Sequence, residues 1–258
     1  MIQWDLKMMH WIAGRTTRML AVLTLTSLCA ACSSKGPPSS SQPSSSLPPA
    51  NAKVGEGFPL KAGSYWVYKG TVKWQDGTEA KETSVAWRME VIRSERVGKY
   101  EVTFLEGHPE DLAWFTPGKP RGIHVFVNDG GRYYELGSVT DPGSLLADEA
   151  TLESHLQPES VFLELPLNKG MCLGRAPDIQ RDDNMYCWSV GAPTSYAPQG
   201  VTGIPSGNPF FDYELSFRSL PDHTMIHFVP GIGITSFVYG HHGTLSEADV
   251  HLIEYHPG

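Results

Sequence analysis

Cysteine is scarce in this chain, with four in 258 residues, and a long apolar run is missing. The most apolar stretch, residues 19–28, is about half the roughly 20 residues a helix needs to cross a bilayer. A basic cluster is missing too. Lys and Arg number 20 against 28 Asp and Glu, for a net charge of −8. Nowhere do they gather into the patch that phosphate-backbone contacts require, so nucleic-acid binding is not expected. The common catalytic signatures are also absent. There is no His-Glu-x-x-His, no Gly-x-Ser-x-Gly, no phosphate-cradling Gly-Lys-Ser/Thr loop and no Ser-x-x-Lys. Gly203-Ile-Pro-Ser-Gly207 comes nearest, but its serine is one place late and the adjacent proline would spoil a strand-to-helix turn. It is expected to be a loop.

What is present begins with an export signal. Lys7, Arg15 and Arg18 precede the apolar stretch, and small Ala30 and Ala31 lead to Cys32. A cationic start, an apolar middle of about 7–15 residues and a small-residue cleavage point make a secretory signal. The segment Leu28-Cys-Ala-Ala-Cys32 resembles a lipobox, the motif read by the bacterial lipoprotein-processing peptidase. Cys29 stands where an aliphatic residue is usual. The resemblance implies cleavage after residue 31 and acylation of Cys32. Each buried methylene of an acyl chain is worth about 0.8 kcal/mol, so two or three chains make a stable anchor. Ser33 after the cysteine resembles the pattern sent to the outer membrane in cells with two membranes.

Residues 32–53 are dominated by Ser and Pro and have almost nothing apolar to bury, which implies a disordered tether. At roughly 3 Å per residue it would reach up to about 60 Å. Removing residues 1–31, with three basic residues against Asp5, leaves 227 residues and a net charge of −10. Two cysteines remain unmodified, Cys172 and Cys187. An even pair in an oxidising compartment implies a disulfide, and closing a loop of about 15 residues is worth about 3 kcal/mol. Two free buried thiols or half a metal site are the alternatives.

Residues 54–258 carry the folded part, expected as one β-rich domain that divides into two similar halves, 54–160 and 161–258. Trp66, Tyr68, Val72 and Trp74 alternate with Lys69, Thr71 and Lys73, the period of a half-buried strand. Val85, Trp87, Met89 and Val91 continue it after a turn at Asp76-Gly77. Tyr100, Val102 and Phe104 follow Gly98. Asn128-Asp-Gly-Gly131 is a hairpin signal between strands at 123–127 and 132–136. Later strands are expected at 187–190, 213–218, 224–229, 234–239 and 250–255. One helix is expected at 144–156, capped by Asp141 with Pro142 in its first turn.

One short echo is visible. Pro59-Leu-Lys-Ala-Gly63 and Pro166-Leu-Asn-Lys-Gly170 repeat after 107 residues. Many short strands and one helix predict a mainly β fold, a curled antiparallel sheet forming an open half-barrel or sandwich with one or two short helices at most. That architecture resembles the half-barrels with a covering helix of envelope lipoprotein carriers and chaperones. Phe58-Pro-Leu-Lys-Ala-Gly-Ser-Tyr-Trp-Val-Tyr68 and Pro230-Gly-Ile-Gly-Ile234 resemble stretches of uncharacterised bacterial β-rich lipoproteins.

Candidate chemistry is sparse. His223 and His227 lie four apart near one strand, His241 and His242 occupy a hairpin turn, and His251 lies on the next strand. Together they are the candidate metal ligands, although the expectation is no metal and no other cofactor. Asp178, Asp182, Asp183 and Asn184 offer oxygens but read as a turn. Glu110 and Asp111 follow Pro109 in what reads as a solvated loop. Trp66, Trp74, Trp87 and Tyr100 either fill a core or line a concavity for an apolar ligand. The expected function is a non-enzymatic lipoprotein of the cell envelope. It would be membrane-bound through Cys32 and would bind an apolar ligand or an envelope protein. The alternatives are an assembly component and a histidine-based metallohydrolase.

Overall fold

A computed structural model describes residues 57–138, 143, 146–204 and 209–258. Cys32, the expected tether, Asp141, Pro142, Ser144 and the 205–208 part of the expected loop lie outside them. Thirteen strands form one sheet: β1 Tyr65–Asp76, β2 Glu79–Val97, β3 Tyr100–Glu106, β4 Ile123–Asp129, β5 Arg132–Ser138, β6 Val161–Glu164, β7 Cys172–Leu173, β8 Trp188–Val190, β9 Thr194–Tyr196, β10 Phe210–Arg218, β11 Asp222–Val229, β12 Gly233–His241 and β13 Ser246–His256. A helix, α1, spans Glu149–His155. The mainly β antiparallel fold expected from alternation is the fold observed.

The strand order is β6-β5-β4-β3-β2-β1-β13-β12-β11-β10-β8-β7, with β9 paired to β10 off this path. Nearly every strand therefore lies beside its neighbour in sequence, as in an up-and-down meander. Two features turn the meander into a nearly closed barrel. First, β1 pairs with β13 over ten residues, from Tyr65 opposite His256 to Trp74 opposite Ser246. Second, the break in the hydrogen-bonded path falls between β6 and β7. These edges still come close, because a Cβ on Gly174 would overlap the Val161 carbonyl.

Alternation sorts the side chains onto two faces. The inner cluster includes Trp66, Tyr68, Met89, Phe126, Leu215, Ile226, Phe228 and Phe237. Phe58, which precedes β1, plugs it. Its ring meets Trp66, Phe126 and Phe228 edge-on at centroid distances of 6.0, 5.7 and 5.4 Å, and its N–H donates to the Tyr133 hydroxyl. The outer cluster is Tyr100, Val102, Phe104, Val125 and Val127 with Leu152 of α1. The helix thus covers the outer face of β3 and β4. The Asp148 carboxylate accepts from the Thr151 N–H at 2.7 Å and caps it at Glu149, inside the 144–156 stretch expected to be helical.

The sequence echo is also structural. Gly63 and Gly170 both sit at φ 87°, where glycine is favoured. Each donates its N–H to a valine carbonyl, Val91 and Val190 respectively. Leu60 and Leu167 are both buried in the inner cluster. Cys172 and Cys187 are bridged, with Cα atoms 5.4 Å apart.

The aromatic residues taken as a possible concave lining fill space instead. The Trp66 indole donates to Ile232 O and the Trp87 indole to Gly107 O within the packed interior. Tyr100 faces outward and donates to Glu153. Trp74 packs edge-on against Phe115. Burying each indole N–H against a carbonyl removes the cost of desolvating it, so a packed arrangement is the stable one.

Phe58→Ala removes a ring that touches both halves of the barrel. The expected loss is about 3–5 kcal/mol, read from the urea midpoint of the full-length chain. A loss below about 1 kcal/mol would show that the plug is dispensable.

Candidate functional site

The connection from β3 to β4 is not a solvated loop. His108 is buried, and residues Pro109–Leu112 form a 3-10 turn whose Leu112 is wholly buried in the inner cluster. That anchor turns Asp111 inward, to 9% exposure, and leaves Glu110 at the rim with 57% of its side chain exposed. The turn is tied at its base by the Gly107 N–H donating to Gly122 O and the Gly122 N–H donating to the Asp111 carboxylate at 2.7 Å.

Strands β4 and β5 bring the rest. The Asn128-Asp-Gly-Gly131 hairpin sets Phe126 opposite Glu135, so both point inward with His124. Between Phe126 and His124 the register shifts: His124 pairs with Ser138, leaving two β5 residues against Val125. Gly137 sits at φ 68° in this bulge. Bulges of this kind re-aim side chains, and this one sets Glu135 beside His124.

His124 is clamped by carboxylates on both nitrogens. Its Nε2 lies 3.2 Å from Asp111 Oδ1 and its Nδ1 lies 3.3 Å from Glu135 Oε1. Burial opposes the imidazolium charge, but the two hydrogen-bonded carboxylates outweigh it and raise the pKa to about 10. Asp111 is lowered in turn, against its burial, by His124 and the Gly122 N–H. Glu135 is lowered although burial opposes it, through the two imidazoles beside it. His108 behaves oppositely: burial lowers it to about 4, so it is neutral. Its Nδ1 accepts a long 3.4 Å bond from the Glu110 N–H, and its Nε2 has no partner. Glu110 is raised to about 7, first by the adjacent Glu135 charge, with which it shares a hydrogen bond. Because much of Glu110 is exposed, that neighbouring charge matters more than its burial. The pair titrates as a unit.

His108, Glu110 and Glu135 line one wall of a cleft of about 400 Å³, and His124 and Asp111 hold that wall from behind. The opposite wall is aromatic: Trp188 of β8, Phe217 of β10, and Phe237 and Tyr239 of β12. Val161 and Phe162 of β6 lie at its edge, so the cleft sits where the barrel fails to close. Trp114 overhangs it. This residue adopts φ 54°, which costs a bulky side chain on the order of 1–3 kcal/mol. It is held by a bond from its backbone N–H to Ser246 Oγ and by the tilted His241 ring at a centroid distance of 4.4 Å. A strained, 46% exposed indole at a cleft mouth is positioned for contact.

The histidines singled out from sequence do not converge. His227 bonds Asp212, His241 bonds Asp222, His251 bonds Asp249 and His223 bonds Ser216. His242 is exposed in its turn, donating its backbone N–H to Pro221 O. The reason is spacing. Residues four apart on a strand lie about 13 Å apart, and His227 and His251 flank Ser236 from two different strands, roughly 10 Å apart. Among the described residues one group can hold a metal: His108, Glu110, His124 and Glu135, with donor atoms all within 4.8 Å of one another. In the 178–184 turn, Asp183 is taken up by Arg181 and the Met185 N–H.

No family model matches the chain, and no curated protein matches it. Two solved structures are similar in course. One is a Bacteroides fragilis protein, provisionally described as exported and having a YmcC-like fold. It is 13% identical, covers 78% of this chain and 98% of its own, and gives a TM-score of 0.35. The other is a Parabacteroides distasonis protein, provisionally described as a lipoprotein. It is 11% identical, covers 77% of this chain and 97% of its own, and gives the same TM-score. Likeness at this level says nothing about the cleft.

The His124 clamp has a pH signature in metal-free protein. A pKa raised from 6.5 to about 10 contributes stability that is complete below about pH 6.5 and is lost as the pH rises towards 10. Asp111 and Glu135, both lowered, contribute stability that is lost instead as the pH falls through their depressed values. The melting temperature should therefore decline from pH 7 to pH 10, and the decline should be markedly shallower in His124→Gln. Equal slopes would mean that His124 is not charged in the fold.

Proposed function

We propose that this protein is a non-enzymatic lipoprotein of the cell envelope, held to a membrane by acyl chains on Cys32, whose barrel binds a small ligand with an apolar body. The address is supported by the order of charge, apolar stretch, small pair, cysteine and Ser/Pro tract along residues 7–53. Ser33 supports the outer membrane as the destination in a two-membrane cell. The cleft carries the binding reading. Its volume of about 400 Å³ lies in the range of small-molecule sites, and an aromatic wall faces a few convergent polar groups. Glu110 shares its proton with Glu135, and both His124 nitrogens are occupied. His108 is neutral but burial lowers it to about 4, too weak a base to match a proton transfer near neutrality, which favours binding over turnover.

Two measurements on full-length protein test this. Intact mass should show a chain beginning at Cys32 with acyl chains attached, and Cys32→Ser should leave the membrane fraction. An unacylated chain starting upstream would overturn the address. In detergent-solubilised protein, the neutral dye N-phenyl-1-naphthylamine should fluoresce more strongly on binding. Thr224→Trp, which places an indole in the cleft, should abolish most of the increase. An increase unchanged by Thr224→Trp, or none in either protein, would overturn the ligand reading.

A further inference from the structure

Four donor groups face one another across the cleft's polar wall. Glu135 Oε1 lies 3.3 Å from His124 Nδ1 and 3.7 Å from His108 Nδ1, and His124 Nδ1 lies 4.0 Å from Glu110 Oε2. A tetrahedral shell with bonds of about 2.0–2.1 Å sets its donors roughly 3.3–3.4 Å apart, and these four, all within 4.8 Å of one another, would contract onto an ion to reach it. The four come from three separate places: the 3-10 turn, β4 and β5. No local turn chemistry explains their meeting.

A second observation points to a missing partner. His108 is 1% exposed and lines the cleft, yet its Nε2 bonds nothing, and its Nδ1, 3.7 Å from Glu135 Oε1, accepts only a long bond from the Glu110 N–H. Buried polar atoms are normally paired, and the exceptions call for an explanation. A third observation concerns orientation. The Asp111 carboxylate, fixed by the Gly122 N–H, holds His124 Nε2 and so aims Nδ1 at Glu135 and Glu110. A carboxylate on the far nitrogen of a ligating imidazole is the usual support of a metal-bound histidine. Glu110, exposed at the rim, gives an entry path.

We propose that His108, Glu110, His124 and Glu135 bind one divalent transition-metal ion of the zinc class at the mouth of the cleft, with Asp111 as the positioning residue for His124. This rests on the reading of the cleft as a ligand site and names what its polar wall holds. Two imidazoles and two carboxylates form a mixed nitrogen–oxygen set with no thiolate, which suits zinc rather than a soft monovalent ion. Two carboxylates balance the ion's double charge. On binding, the metal replaces the proton between His124 Nδ1 and Glu135 and the one shared by Glu110 and Glu135, releasing them to solvent. Four protein ligands fill a tetrahedral shell, the pattern of a holding site rather than of a catalytic centre with an open position.

The test is zinc binding to full-length, chelator-stripped protein in detergent, by isothermal titration and elemental analysis. Cobalt(II) serves as a spectroscopic substitute. Wild type should take up one zinc per chain, and its cobalt form should show the strong visible absorption of four-coordinate geometry. Glu135→Gln and His124→Gln should lose the site. Glu110→Gln, at the exposed rim, should weaken it even if the buried variants fail to fold. Asp111→Asn should keep the stoichiometry and lose about 10–100-fold in affinity, as for other supporting residues. His251→Gln, remote and exposed, should change nothing. Cooperatively folded wild type that binds neither metal would overturn the proposal. So would binding that survives Glu110→Gln and Glu135→Gln unchanged. Dye binding needs no metal, so an intact dye response without zinc would reject the metal alone and leave the cleft reading standing.

Discussion

The pairing of β1 with β13 is the constraint on which the rest depends. It joins the two ends of the described fold and makes them the middle of the sheet rather than its margins. The contact is close: Gly70 lies against the Asp249 carbonyl, where a Cβ would overlap it. The sheet grows outward from this seam in both directions, through β2 to β6 on one side and β12 to β7 on the other. Twisted sheets of this width curl, and here the curl brings the two outer edges near each other. The cleft lies where their hydrogen-bonded path breaks off. A pairing that is remote in sequence thus decides where the cleft opens.

The two walls of the cleft have different origins. The aromatic wall comes from inward positions of β8, β10 and β12, the same alternation that fills the core further in. The polar wall depends on departures from regularity: a buried 3-10 turn between β3 and β4, and a bulge in β5. Placing His124 between two carboxylates inside a barrel carries a desolvation cost that only close pairing offsets. Leaving His108 Nε2 unpaired adds to it. Local arrangements that cost stability are where function is expected to reside.

Much of the fold was legible from alternation. The strands led by Trp66, Val85 and Tyr100, the hairpin at Asn128-Asp-Gly-Gly131 and the late strands all lie near where period two places them. The Pro-Leu-x-x-Gly echo recurs as a local turn, with Gly63 and Gly170 at the same φ and each bonded to a valine carbonyl. The short strands β6, β7 and β9, of four, two and three residues, carry too few to show a period. For the helix, Asp148 caps the turn at Glu149, and the start expected at Asp141 and Pro142 lies outside the described residues. The site was the harder part. Counting from the hairpin turn would place Glu135 opposite Phe126, and Gly137 inside a strand is a bulge signal. Those two clues could have brought His124 and Glu135 together. Nothing in Gly107-His-Pro-Glu-Asp111 reveals that the segment is buried, because burial there comes from Leu112 docking into a core assembled from distant strands. The reading of His223 and His227 as partners failed on distance, since sharing a strand face does not bring residues four apart into reach.

Zinc K-edge X-ray absorption on the full-length protein, loaded with one equivalent, reads the polar wall most directly. The account predicts a first shell of about four nitrogen and oxygen donors near 2.0–2.1 Å, with the outer-shell scattering of two imidazoles and no sulfur. A shell of six oxygens without imidazole scattering, or one containing sulfur, would contradict it.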